Sequence, residues 1–216
     1  MNDQNVMPNV RTTFNEHISY PEIDPSAYVH PLAAVIGAVY LGKRVMVSPC
    51  ASIRADEGSP IFVGDYANVQ DGCVIHALET CDNGSKVEQN LMQVDGKEYA
   101  VYVGKNVCLA HQVLVHGPAV VRDNTFLGFQ AIVFKSEIGE GCVLEFGAKV
   151  IGVKVPAGRY VPINSVVNSQ EQADALPVID DNYPLGKLGS AVVHVNVQFA
   201  DGYAGRIPAE LQGGGH

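Results

Sequence analysis

Residues 101–134 read VYVGKNVCLAHQVLVHGPAVVRDNTFLGFQAIVF and carry an aliphatic residue at every sixth position: Val103, Leu109, Val115, Val121, Leu127 and Val133. Upstream, the same period links Val35, Leu41, Val47 and Ile53, and then Val63, Val69 and Ile75. Downstream it loses one residue before Ile138, Leu144 and Val150, and it ends with Val155, Val161 and Val167. Four residues after most of these aliphatics stands a small or β-branched residue, as at Val45, Ala51, Cys73, Val113, Ala131 and Cys142. Glycine often follows the aliphatic, as at Gly42, Gly64, Gly104 and Gly139, where a chain turning a corner gains from a missing Cβ. Three such hexads make one triangular coil, and stacked coils pair their strands at about 4.8 Å. A β-sandwich would show period-two runs with turns at about every 8–12 residues instead. The fold expected is therefore all-β, a parallel β-helix whose handedness the spacing leaves open.

Two insertions break the winding: four additional residues between Ile53 and Val63, within 54–62, and a long excursion over 77–100 that is rich in carboxylates. Loops of that length in a compact domain are usually functional or disordered. Residues 1–28 are expected to cap the coil, 29–168 to form it, and 169–216 to supply a helical segment with a flexible tail at 213–216. Ser169 and Gln172 have the spacing of a capping box. Leu188, Val192, Val195, Phe199 and Tyr203 fall at helical spacing, which predicts a helix near 188–203 packing that stripe along the coil, while the period-two alternation of Val193, Val195, Val197 and Phe199 leaves a strand as the alternative.

The chain has 216 residues, 47 % of them hydrophobic, enough for one substantial core. A formal net charge of −9 argues against nucleic acid or an anionic membrane surface as partner, since each needs a positive face. No apolar run reaches the roughly twenty residues of a membrane span, and the polar start lacks a signal-peptide pattern, so a cytoplasmic protein is expected. The five cysteines (Cys50, Cys73, Cys81, Cys108, Cys142) form no C-x-x-C pair and are read as reduced thiols.

Three of the seven histidines have a meaning in the repeat. His76 and His116 each follow a corner aliphatic and stand three hexads apart, so they stack on one face in adjacent coils, in the column that also holds Arg54. His111 belongs to a different face, to which Gln70, one residue after Val69, is assigned in the same column. Two imidazoles bind a zinc-type metal loosely, and a catalytic centre needs three protein ligands with an open position. If prisms associate around a threefold axis, His111 of one subunit completes the His76 and His116 pair of the next.

At SIRADEG (52–58), NVQDGCVIHALE (68–79), VDGKEYAVYVGKNVCLAHQVLVHGP (94–118) and YVPINSVVNSQEQADALP (160–177) the chain closely resembles the gamma-class carbonic anhydrases, in the subgroup with an acidic loop after the first histidine. The resemblance implies a left-handed β-helix, a homotrimer, and one divalent metal per subunit interface, Zn2+ with Fe2+ or Co2+ as alternatives. It implies His76, His111 and His116 as ligands, Glu57 as the carboxylate handling the proton beside the metal, and Glu79 as the proton shuttle. It further implies Asn68 and Gln70 as hydrogen-bonding residues around carbon dioxide and bicarbonate, and Arg54, Asp56 and Asp71 as a structural charge network at the interface. Asn196 matches a polar residue reaching the site, whereas His194 stands where better-known members place tyrosine, which leaves that tyrosine's role unfilled. The activity implied is reversible hydration of carbon dioxide by hydroxide generated on the metal. Two other readings share the repeat: a hexapeptide acyltransferase with a histidine general base, and a non-catalytic carboxysome-type scaffold domain.

Overall fold

In the computed structural model, which describes residues 5–206, the chain winds into a three-faced parallel solenoid. The first face has eight strands, from Val6–Met7 through Val74–Ala77 and Leu114–Gly117 to Val166–Val167. The second runs over seven strands from Glu22–Ile23 to Lys154–Val155, and the third over seven from Tyr28–Val29 to Tyr160–Val161. The hexad aliphatics register one above another inside the prism. On the first face the column is Val35, Ile53, Ile75, Val115, Val133 and Val150, each fully buried. The residues four positions on, such as Ala51, Cys73, Val113 and Cys142, are buried between these columns, so two of the thiols are packing groups; all five cysteines are free.

Every change of repeat length falls at one corner, where the first face passes to the second. Both insertions leave there, and the residue lost before Ile138 is absorbed there without disturbing the Val121 to Ile138 register. The other two corners are held by stacked residues in the left-handed conformation. One column is Cys50, Gly72, Gln112, Gln130, Gly147 and Asn164, with φ between 58° and 69°. Most of these are not glycine: each such position recurs singly per coil, which polar side chains tolerate far better than a run would be. The glycines that follow the aliphatics serve a different end, close approach between coils. A Cβ on Gly64 would stand 2.7 Å from the carbonyl carbon of Gly104.

The long excursion is not irregular. It holds two antiparallel hairpins, Cys81–Asp82 with Ser85–Lys86 and Met92–Val94 with Lys97–Tyr99, joined by a 3₁₀ turn at Glu88–Asn90. Tyr99 then packs against Phe62 and Tyr102 on the second face, with ring centroids 5.8 and 5.3 Å away.

After the last coil come two helices, α1 (Gln170–Asp174) and α2 (Leu188–Tyr203). The capping box at α1 is formed: Ser169 Oγ accepts from the Gln172 amide and Gln172 Oε1 accepts from the Ser169 amide. Helix α2 lies along the third face over Tyr28–Val29, Met46–Val47 and Cys108–Leu109. Its orientation corrects the sequence expectation. Val195 and Phe199 are 45 % and 48 % exposed, while Asn196 and Ala200 are the buried residues. Leu188 and Val192 of the expected stripe pack on the coil, with Val193 beside them, whereas further along the helix the residues set against it are Asn196 and Ala200. Near its start the approach is close, as at Gly189 over Phe126. The tail expected at 213–216 lies outside the described residues. No helix among the described residues is long and apolar enough to cross a membrane.

Candidate metal centre and active site

His76 and His116 are direct register partners in the first-face strands Val74–Ala77 and Leu114–Gly117, as their hexad spacing required. Outward-facing positions on neighbouring parallel strands bring their rings to 5.3 Å between centroids, and His76 Nδ1 lies 3.4 Å from His116 Nε2. The Nδ1 of His116 is 3.1 Å from the Gly117 carbonyl, to which it donates when protonated there, leaving Nε2 with a bare lone pair. The Nε2 of His76 faces Asp56 Oδ1 at 3.4 Å and Glu57 Oε2 at 3.6 Å. Both that nitrogen and Asp56 Oδ1 are buried without a hydrogen-bond partner. Burial, with a smaller push from the Arg54 guanidinium, holds the His76 pKa below the ordinary imidazole value against the opposing pull of Glu57 and Asp56. Neutral imidazole is the metal-ligating form. Arg54 Nη1 reaches Asp56 Oδ2 at 3.4 Å, so these two members of the expected charge network meet within one chain.

His111 is elsewhere. It sits at the edge where the third face turns into the first, with Nδ1 3.1 Å from Asp71 Oδ2, an arrangement that again leaves Nε2 bare. The residue level with His111 on the preceding coil is Asp71, while Gln70 is level with Ala110; the column assigned to Gln70 from sequence is corrected accordingly. The cause is that His111 follows its aliphatic by two residues and Gln70 by one. Gln70 still belongs to the same site. His111, Asp71, Gln70 and Asn196 line one cavity of about 360 Å³ between the third face and α2, whose other wall includes Val192, Val195 and Phe199.

Beneath that cavity Gln70 Nε2 donates to Asn68 Oδ1 at 2.9 Å, and Cys108 Sγ lies 3.2 Å from the same oxygen. Burial pushes the Cys108 thiol up to about 12, so it stays protonated and serves as packing and a weak donor. Asn68 is fully buried and its Nδ2 has no partner. Asn196 Nδ2 donates to the Val192 carbonyl at 2.9 Å within α2. His194 is exposed on the opposite side of that helix and bonds to Gln198 at 2.9 Å.

The donor set fits a divalent metal. Two tetrahedral ligands each about 2.05 Å from a zinc have nitrogens roughly 3.3–3.4 Å apart, which is the separation of the His76 and His116 nitrogens. His111 and His116 have Nε2 bare. On His76 the nitrogen at this separation is Nδ1, while its buried Nε2 is turned to Asp56 and Glu57. Within a single chain the set stays divided: among the described residues no three metal-ligating side chains converge. The charge network is divided in the same way, Arg54 and Asp56 on one side and Asp71 on the other.

Glu79, half-buried, begins the long insertion three residues after His76. Sequence reasoning missed the residues that hold it, Ser59, Thr80 and Asn90, and missed Ser48, Val195 and Phe199 as cavity lining. A short polar residue in a loop carries no periodic signal, and the cavity lining depends on the rotation of α2.

The fold and these residues define a class, hexapeptide-repeat solenoids with a histidine centre. Among solved structures, a hexapeptide transferase family protein of Anaplasma phagocytophilum superposes with a TM-score of 0.65 at 22 % identity, covering 86 % of this chain and 93 % of that one, a likeness of fold. No family model matches. The chain is 57 % identical over 200 residues to the carbonic anhydrase of Methanosarcina thermophila, covering 92 % of this chain and 81 % of that protein. It is 42 % identical over 166 residues to the carboxysome assembly protein CcmM of Nostoc, of whose length it spans 28 %. The chain belongs to the carbonic anhydrase family, in its gamma class.

Proposed function

We propose that this carbonic anhydrase, which interconverts carbon dioxide and bicarbonate with a divalent metal, completes its centre only by assembly around a threefold axis. His76 and His116 of one subunit and His111 of the next would hold the metal. The observation that carries this reading is the division of the ligands and of their polar surroundings between two separate edges of one prism. A rotational assembly presses one edge of each copy onto a different edge of its neighbour, which is what two complementary half-sites require. Apolar exposure supports the same arrangement. Phe129 beside His111, with Val195 and Phe199 on α2, are 45–48 % exposed and form the kind of surface that a partner covers.

When bound, the metal lowers the pKa of water to about 7 and so supplies hydroxide at neutral pH. The chain's own residues do the rest. The neutral state of His76, enforced by burial, leaves its lone pair for coordination. Val192, Val195 and Phe199 give carbon dioxide an apolar wall, and the cavity is large enough to admit it beside His111. Gln70 lines the cavity and is fixed from beneath by the buried Asn68, so its amide is presented to bicarbonate in one orientation. One proton leaves per hydration. Glu57, 3.6 Å from His76, is the carboxylate that receives it, and Glu79, at the mouth of the insertion, passes it to solvent.

The test is metal content and carbon dioxide hydration measured on the wild type and on His76→Ala, His111→Ala and His116→Ala. Each substitution is expected to remove most of the metal and the activity. Full metal content in His111→Ala would exclude it as a ligand and end the shared-site reading.

A further inference from the structure

We infer that Thr80 and Asn90 are positioning residues that clamp the backbone at Glu79 onto the segment carrying Glu57. The inference rests on the proton-transfer roles proposed for those two glutamates and deepens it.

A proton relay needs its groups within hydrogen-bond reach at the moment of transfer, and a twenty-residue-scale surface insertion is by default the mobile part of a fold. The excursion that starts with Glu79 is held unusually well at that point. The two insertions are laced together there. Gly58 lies so close to the Leu78 carbonyl that an added Cβ would stand 2.1 Å from its oxygen. Next to it Thr80 Oγ1 both accepts from the Ser59 amide at 3.1 Å and donates to the Ser59 carbonyl at 3.0 Å. From the other side, Asn90 on the 3₁₀ turn donates Nδ2 to the Glu79 carbonyl at 2.8 Å, and the Val87 amide donates to the Thr80 carbonyl at 2.9 Å. Thr80 and Asn90 are 8 % and 5 % exposed, so water does not substitute for these bonds.

The contrast with the side chain of Glu79 gives the clamp its function. Among the described residues that carboxylate has no hydrogen-bond or ion-pair partner, although the neighbouring insertion charges do, Lys86 with Glu98 at 2.6 Å for one. A fixed backbone with an untethered carboxylate leaves side-chain rotation as the freedom of the group, which is what a relay from Glu57 to solvent requires. A merely structural clamp would not require its central side chain to be left free.

The experiment compares Asn90→Ala, Thr80→Val and Thr80→Ser with Glu79→Ala in the holoenzyme, reading kcat and kcat/KM in weak and strong buffer. Thr80→Val keeps the shape and removes the hydroxyl; Thr80→Ser keeps the hydroxyl. The expected result is a several-fold loss of kcat in weak buffer for Asn90→Ala and Thr80→Val, relieved by strong buffer, with kcat/KM nearly unchanged and Thr80→Ser close to wild type. Combined with Glu79→Ala, either change should add nothing, because the clamp acts through that carboxylate. A readout independent of the metal is amide hydrogen exchange, which should quicken over residues 79–90 in Asn90→Ala and stay unchanged in the solenoid strands. If Glu79→Ala shows a buffer-relieved loss and the clamp variants do not, or if their losses add to it, the positioning role is overturned while the shuttle stands. If Glu79→Ala itself loses nothing in weak buffer, the shuttle reading fails, and the inference falls with it.

Discussion

Each residue at the centre acts according to what its neighbours leave unsatisfied. His116 and His111 have one ring nitrogen engaged, by Gly117 and Asp71, and the other free, whereas the buried Nε2 of His76 finds only carboxylates beyond 3 Å. Glu79→Ala is expected to slow turnover by about tenfold or more in weak buffer and far less in strong buffer, since small bases replace a shuttle but not a nucleophile. Steady-state hydration rates at several buffer concentrations check this, and equal losses at every concentration would exclude the shuttle. Asn196 is the buried polar residue of α2, spending Nδ2 on Val192 and facing the cavity shared with His111. Asn196→Ala should therefore lower activity without dissociating the assembly, measured by kinetics together with sedimentation. Wild-type kinetics in that variant would remove it from the site.

Elements matter through how closely they approach. At the corner between the first and second faces the two insertions meet over Gly58, where even a methyl group meets Leu78 O and Ala77 Cβ, at 2.1 and 2.6 Å. Gly58→Ala should cost about 1–3 kcal/mol through this overpacking and should also mimic the loss of the clamp in weak buffer. Gly202, near the end of α2 and with open space around its Cβ position, is the matched control. Gly202→Ala should stabilise by up to about 1 kcal/mol through helix propensity. Thermal or denaturant unfolding of both variants measures the contrast, and similar behaviour of the two would mean that the insertion contact is soft.

For the whole molecule, the claim is that neither edge of one prism is a complete site. His76→Ala and His111→Ala proteins should each be nearly inactive, because every site in either lacks one ligand. In mixed assemblies an interface is intact only where a His111→Ala chain offers His76 and His116 to a His76→Ala chain that offers His111. Random threefold assembly of equal amounts makes that ordered pairing at roughly one interface in four. Refolding or coexpressing the two chains should thus recover metal and activity to about a quarter of wild type. Mixed assemblies as inactive as their parents would show that all three ligands come from one chain.

The six-residue register was sufficient to set the strands, their columns and the pairing of His76 with His116, because a repeat converts sequence distance directly into position on a face. It also separated His111 from that pair. The helix α2 was legible as a helix from its period, but its rotation was not. Apolar periodicity pointed to one continuous packing stripe; Leu188 and Val192 pack as expected, but further along Asn196 and Ala200 are the buried residues and Val195 and Phe199 stand half-exposed at the wall of the cavity. The one-residue difference between His111 and Gln70 within their hexads likewise became a displacement only once the coils were stacked, putting Asp71 beside the imidazole. The clamp of Ser59, Thr80 and Asn90 around Glu79 was invisible in the sequence, since hydrogen bonds between two insertions depend on where the solenoid brings their ends together. Sequence alone determined what a regular period can encode, the fold and the faces. Tertiary structure decided what depends on contacts between segments of no period: the set of the helix, the lining of the cavity and the fixing of the loop.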